Sequence, residues 1–181
     1  MSASNKYKKG EFGYWWTVTL GRKDIDGTDY AGGIDASSEC LTSLRGAPCS
    51  VGYDFWCNDN ELTSLKYCPE IVPGEFWCHP NALTSLEHAP TNIGMGFWCN
   101  NNELTNLAHS LYKVGGVFAC ANNPIEYPIA EIIDNDIIAK SYLITDADRV
   151  TFEELEAEKQ RRANIKRQLG PFAITPPGGK I

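Results

Sequence analysis

Three tryptophans recur at an interval of 21 residues, and five of the six residues two positions before or after them are polar or acidic, the sixth being Gly96. An indole beside a carboxylate can receive an arginine or lysine side chain through cation–π attraction and ion pairing. Large aromatic side chains of this kind also act as anchors in protein interfaces. We therefore predict one binding surface, made of Trp56, Trp77, Trp98, Asp54, Glu75, Asn58, His79, Asn100 and Asp35.

Other reactive residue types do not form a catalytic pattern. The three histidines occupy different positions relative to the 21-residue interval, and Ser43, Ser64 and Ser85 recur only because their surroundings recur. The glycines near residues 52, 94 and 115 are typical of turns and do not form a phosphate-binding loop. Asp54 and Glu75 are more typical of a solvated acidic face than of an acid–base pair. We predict no enzymatic activity, no catalytic residues and no cofactor.

The seven cysteines do not have the spacing of a metal site or of a disulfide framework. No C-x-x-C pair occurs, so we predict no metal. Four of the cysteines share the 21-residue interval and would point into the core from successive strands, side by side, as small apolar side chains. We expect these four to be buried free thiols: Cys57, Cys78, Cys99 and Cys120.

The elements that position these residues form a repeat. A fixed period with apolar residues at equivalent places predicts a stacked solenoid, in which each unit buries its face against its neighbours. Alternation along each short strand puts the phenylalanine and cysteine inward and the tryptophan outward. The repeating positions are Phe55, Phe76, Phe97 and Phe118; Asn60, Asn81, Asn102 and Asn123; and Leu62, Leu83, Leu104 and Ile125.

The repeat unit reads F-W-C-x-x-N-x-L-T-S-L-x-x-x-P-x-x-V-G over residues 30–125. It resembles the leucine-rich repeat, whose core is L-x-L-x-x-N-x-L, with phenylalanine and cysteine at the first two leucine positions. The short bacterial and bacteriophage-type repeats are the most similar. The resemblance implies a parallel sheet with a concave binding face, and asparagines that bond to the backbone of adjacent turns. It also implies a phage accessory protein that inhibits a host or defence protein.

The predicted fold class is a β-rich solenoid with an α cap. Residues 1–32 form an arm and an N-terminal β cap, in which residues 11–20 are a strand. Residues 33–125 form the solenoid. Residues 126–170 form a C-terminal helical cap, with one helix over 128–144 and another from the capping box at Thr151 to about Leu169. Residues 171–181 form a flexible tail.

Charge is distributed unevenly along the 181 residues, whose net charge is −7. Residues 24–148 carry a balance of −14, while both ends are basic. Such an acidic region repels a phosphate backbone and attracts a basic protein, so we expect a basic protein partner rather than nucleic acid. The polar start and the lack of a long apolar run predict no secretory signal and no membrane contact. The expected location is the cytoplasm, of the host if the protein is phage-encoded.

Two other functions are compatible with the same residues. The tryptophan platform, with asparagine, aspartate and histidine beside it, also suits a carbohydrate or another small ligand. The chain is alternatively a structural or oligomerisation module. In that case the indoles stack only on each other, or are covered by the segment with Trp15 and Trp16 or by the C-terminal helix. The oligomeric state does not follow from the sequence.

Overall fold

The computed structural model describes residues 6–108, 113–126, 128, 132–133, 137, 139, 141–144 and 149–169. The chain winds into a β-solenoid of about five turns, which confirms the predicted fold class. The first of its two sheets has seven strands, in which all neighbours are parallel except the last pair. In spatial order these strands are β2 (Ile34–Asp35), β4 (Phe55–Trp56), β6 (Phe76–Trp77), β8 (Phe97–Trp98), β10 (Val117–Ala119), β11 (Ser141–Leu143) and β12 (Arg149–Thr151).

A second parallel sheet forms where the chain returns, with one strand per turn. Prolines 48, 69 and 90 precede these strands and exclude a regular helix there. Val51, Val72 and Val114 point inward from this sheet and close the core. The strands are β1 (Asp29–Tyr30), β3 (Ser50–Val51), β5 (Ile71–Val72), β7 (Asn92–Ile93) and β9 (Lys113–Val114).

An aromatic column runs through the centre of the solenoid. Equivalent phenylalanines pair in register across the first sheet, with ring centroids 5.3–6.1 Å apart. Residues outside the 21-residue register extend the column at both ends, with Phe12 6.2 Å from Phe55 and Tyr142 6.5 Å from Phe118. The four repeat cysteines lie beside the column as buried free thiols, as predicted. The repeat thus buries one apolar face continuously along its length.

An asparagine ladder ties successive turns together, and it confirms the role predicted for these residues. Asn102 is only 5% exposed. Its Oδ1 accepts the backbone N–H of Leu83 at 3.0 Å, and its Nδ2 donates to the carbonyls of Cys78 and Cys99, both at 3.1 Å. Asn60, Asn81 and Asn123 repeat this pattern. Each side chain therefore satisfies backbone groups that the tight turn leaves without a strand partner.

Residues 12–19 of the N-terminal cap are helical, so the predicted strand over residues 11–20 is wrong there, although Glu11 forms a parallel β-bridge with Ser43. Phe12–Tyr14 form a short helix, α1, which continues as a π-helical turn over Trp15–Thr19. A strand would turn adjacent tryptophans to opposite sides, whereas Trp15 and Trp16 are both buried against Phe12. Within the arm, Tyr7 is buried and its hydroxyl donates to Asp24 at 2.7 Å.

The C-terminal cap is only partly helical. The predicted helix over 128–144 is wrong at Ser141–Leu143, which form strand β11 beside β10. This placement lets Tyr142 cover the end of the aromatic column, and its hydroxyl bonds to the backbone of residues 137 and 139. Pro128, Ile132 and Ile133 are helical, and the rest of that predicted helix lies outside the described residues. The predicted tail, residues 171–181, also lies outside them.

The final helix, α2, spans Phe152–Leu169 as predicted. Thr151 and Glu154 form the capping box: the Thr151 N–H donates to Glu154 Oε2 at 2.8 Å, and the Glu154 N–H donates to Thr151 Oγ1 at 3.2 Å. These bonds lower the pKa of Glu154. They satisfy two of the donors that every helix start leaves without an intrahelical partner.

Candidate functional site

The outward side of the seven-stranded sheet carries the three repeat tryptophans. Register pairs Trp56 with Trp77 and Trp77 with Trp98. The first pair is stacked with ring centroids 5.2 Å apart, while the second is edge-to-face at 6.0 Å. All three indoles are partly buried. We call this surface, with Asp54, Glu75, Asn58, His79 and Asn100 beside the tryptophans, the tryptophan face.

Two carboxylates lie on adjacent turns at one side of the indoles. Asp54 Oδ1 accepts the backbone N–H of Glu75 at 2.7 Å, and Glu75 Oε2 accepts the indole N–H of Trp77 at 2.8 Å. Each carboxylate is thus held in place by one of its oxygens. No lysine or arginine of the described residues forms an ion pair with either group. The face therefore presents two oriented negative charges beside an aromatic surface.

His79 occupies the centre of the other side of the face. Its ring centroid lies 5.8 Å from that of Trp77 and 6.4 Å from that of Trp98. Burial lowers the pKa of His79, although the nearby Asp59 carboxylate opposes this shift. The ring is therefore neutral at pH 7, and its Nδ1, 3.3 Å from Asn100 Nδ2, can accept the amide hydrogen. A neutral histidine leaves the negative charge of the face undiminished.

Several polar atoms of the face are enclosed without a hydrogen-bond partner among the described residues. They are Trp56 Nε1, Trp98 Nε1, Asn58 Oδ1 and Asn100 Oδ1. The Trp98 indole lies over Gly96, where a Cβ would come within 2.5 Å of Nε1. A buried polar atom without a hydrogen-bond partner destabilises the folded protein by about 1–3 kcal/mol. A ligand that forms hydrogen bonds with these atoms, once their side chains turn toward it, would remove that penalty.

Asp35 lies at the edge of the tryptophan face. It is exposed and in register with Trp56, one turn earlier in the solenoid. Its Oδ1 accepts the backbone N–H of Ser37 at 3.0 Å, which fixes the carboxylate at the turn. The nine predicted binding residues therefore lie on one side of one sheet, in three neighbouring rows.

Two exposed side chains next to this face were not predicted. Tyr53 is 67% exposed and Met95 is 56% exposed. Backbone hydrogen bonds place them on either side of Gly74. The Gly74 N–H donates to the backbone carbonyl of Tyr53, and the Met95 N–H donates to the backbone carbonyl of Gly74. The equivalent position is glycine in the neighbouring turns, at 32, 74 and 116. In the sequence, these two residues could have been recognised as large side chains at a repeat position that otherwise holds glycine.

The N-terminal tryptophans do not cover the tryptophan face. Trp16 packs edge-to-face on Tyr30 at 5.5 Å and stacks on Phe12 at 5.8 Å, inside the N-terminal cap. Its indole N–H donates to the carbonyl of Lys23. The structure therefore contradicts the alternative in which the segment with Trp15 and Trp16 covers the indoles of the tryptophan face.

Within the described ranges, no three histidine, cysteine, aspartate or glutamate side chains are placed to hold a metal ion. Among the same residues, no helix has the length and apolar character needed to cross a membrane. Comparison with protein-family models, with curated proteins and with solved structures finds no match for this chain.

Proposed function

We propose that the chain is a non-enzymatic binding module whose tryptophan face recognises a basic segment of a partner protein. The observation that supports this proposal is the pair of carboxylates Asp54 and Glu75, oriented by hydrogen bonds beside stacked indoles and without a described cation. A guanidinium placed there satisfies the free carboxylate oxygens and lies against an aromatic surface. Such a contact is worth up to about 2 kcal/mol for the cation–π part when the site is desolvated.

The three tryptophans supply the apolar part of the interface. A fully covered tryptophan buries roughly 150–250 Å², and the part of each indole that is still exposed here is what a partner can cover. Aromatic anchors of this type dominate binding energies. Tyr53 and Met95 extend the apolar area beyond the acidic row. The solenoid holds these groups on rigid strands, so little conformational entropy is lost on binding.

The repeat itself supports a more specific proposal. We propose that the solenoid is a short leucine-rich repeat of the bacteriophage type, and the F-W-C-x-x-N-x-L unit and its asparagine ladder support this proposal. A phage accessory protein that inhibits a host or defence protein in the host cytoplasm would use such a face. This assignment rests on resemblance and not on the chemistry of the site.

The test is a titration of the protein with an extended peptide of alternating arginine and alanine, followed by calorimetry and by acrylamide quenching of the tryptophans. Trp77→Ala should weaken binding by about 2 kcal/mol or more, as for a central anchor. Glu75→Lys should slow association and reduce its dependence on salt. Glu70→Lys, an exposed acid away from the face, is the charge-matched control and should change little.

The unpartnered amide oxygens of Asn58 and Asn100 favour a second candidate, a carbohydrate ligand on the same indoles. Sugar binding would keep the effect of Trp77→Ala but would hardly depend on salt. If Trp77→Ala only lowers the melting temperature, and neither peptide nor glycan binds the wild-type chain, the face is structural and both candidates fail.

A further inference from the structure

The distal half of α2 leaves the body of the protein. Leu155 is buried, Glu158 and Arg162 are partly buried, and Ile165 is 42% exposed. These residues follow each other at helical spacings of three and four, so they lie along one stripe of the helix. Residues 163–168 are all exposed. The stripe therefore passes from the core into solvent and ends on Ile165, which belongs neither to the described hydrophobic core nor to the side chains packed against it.

Charge is also divided along this helix. Its four glutamates precede residue 159, and its five lysines and arginines follow from there. Arg161 and Arg162 pair with Glu158 at 2.9 and 3.1 Å. Lys166 and Arg167 have no ion-pair partner among the described residues. The exposed end of α2 is thus a basic helical segment with an isoleucine in the middle of its charges.

The tryptophan face has the complementary properties. It carries oriented carboxylates and partly exposed aromatic side chains, whereas the end of α2 carries Lys166 and Arg167, which have no ion-pair partner among the described residues, next to the apolar Ile165. Ten helical residues, 159–168, span about 15 Å. Three neighbouring strands span about 10 Å between the outer two, so the segment is long enough to cross all three tryptophans.

We propose that residues 159–168 of one copy dock on the tryptophan face of a second copy of this chain. Ile165 lies against the indoles, and Lys166, on the flank of the helix next to Ile165, pairs with the carboxylates of Asp54 and Glu75. Arg167 lies about 200° around the helix from Ile165 and adds to the positive charge of the segment. This inference rests on the proposed function, because it names a basic segment that the face would bind. Reciprocal docking of two copies uses both helices and closes the assembly with two-fold symmetry, the commonest form of a homo-oligomer.

The test is sedimentation velocity of the full chain over a range of concentrations, at low and raised salt. The wild type should form a dimer that dissociates as salt screens the charges. Glu75→Lys, and separately the double variant Lys166→Glu with Arg167→Glu, should each weaken association at least about tenfold. Lys9→Glu and Glu70→Lys are exposed charge-reversal controls and should dimerise like the wild type. Thermal unfolding of each variant checks that the fold is kept.

A mixture of the two weakened variants separates this docking from a general charge effect. The Glu75→Lys chain keeps an intact helix and the double variant keeps an intact face, so their mixture should associate through one remaining contact. The arginine–alanine peptide should dissociate the wild-type dimer by competition. A mixture that stays monomeric overturns the proposed pairing.

A wild-type chain that is monomeric at all concentrations overturns the inference. If such a monomer still binds the arginine–alanine peptide, the proposed function stands and only self-docking fails. If the monomer instead binds a single-stranded oligonucleotide through Lys166 and Arg167, the helix serves an acidic partner and self-docking is wrong. A dimer that persists with Glu75→Lys and with Trp77→Ala also overturns the inference, because its interface then lies elsewhere.

Discussion

Removing one asparagine of the ladder should destabilise the whole solenoid by an amount that the structure allows us to estimate. In Asn102→Ala, the carbonyls of Cys78 and Cys99 lose one donor each but keep another, from Asn81 Nδ2 and Asn123 Nδ2, both at 3.0 Å. The carbonyl of Asn100 loses a longer contact of 3.3 Å. The N–H of Leu83 keeps none among the described residues, because its acceptor is Asn102 Oδ1. The main cost is therefore one buried, unpaired donor.

An orphaned buried N–H costs about 1–3 kcal/mol. The void left by the amide adds to this, so we expect a loss of about 2–4 kcal/mol in the free energy of unfolding. Urea unfolding followed by tryptophan fluorescence measures the loss as a lower midpoint with an unchanged slope. The control is Asn92→Ala on the outside of β7, where the side chain is exposed and a change within about 0.5 kcal/mol is expected.

Asn102→Asp provides a pH-dependent form of the same test. Aspartate can still accept from Leu83, but its carboxylate would face the carbonyl oxygens of Cys78 and Cys99. That contact and its burial would raise the pKa of the carboxyl in the folded state above its unfolded value. The variant should therefore recover stability as the pH falls below that raised pKa. A loss for Asn102→Ala no larger than for Asn92→Ala, or an Asn102→Asp penalty independent of pH, would refute the reasoning.

Three further outcomes are expected. Gly94→Ala should cost about 1–3 kcal/mol in urea unfolding, because its Cβ would lie 1.9 Å from the Pro73 carbonyl oxygen, whereas Gly33→Ala, with 3.3 Å to its nearest backbone atom, should cost much less. Burial lowers the pKa of His79, so the unfolded chain binds its proton more tightly, and wild-type stability should fall as the pH drops below about 6.5; this component should be missing from the pH profile of His79→Gln. When the native protein is alkylated, only the exposed thiols of Cys40 and Cys49 should react quickly. The other five thiols are buried, which raises their pKa and shields them from the reagent. Rapid native labelling of Cys78 would contradict this.

Much of the candidate site could be predicted because a solenoid converts sequence spacing into spatial position. Residues 21 apart, such as Trp56 and Trp77, must lie side by side once equivalent turns stack in register. Alternation along each strand then separates the inward phenylalanines from the outward tryptophans. These two local rules were sufficient to place all nine predicted residues on one face.

The contacts within the face depend on side-chain rotamers that no spacing rule specifies. The sequence indicated that Asp54, Glu75 and Trp77 are neighbours. Only the structure shows that Glu75 accepts the indole N–H and that Asp54 turns toward the backbone of the next strand. Tyr53 and Met95 are exposed because each lies where the chain passes from one sheet to the other, between β3 and β4 and between β7 and β8.

The sequence by itself determined the repeating part of this protein, its inward and outward rows, its free inner thiols and the start of α2. The tertiary structure decided how the solenoid ends. Phe12 and Tyr142 extend the aromatic column although neither is in the 21-residue register, and residues 12–19 become helical although their composition favours a strand. Inside the solenoid each turn meets a copy of itself, so local pattern suffices. At the ends an exposed apolar surface must be covered by non-equivalent residues, and the shape of that surface overrides local propensity.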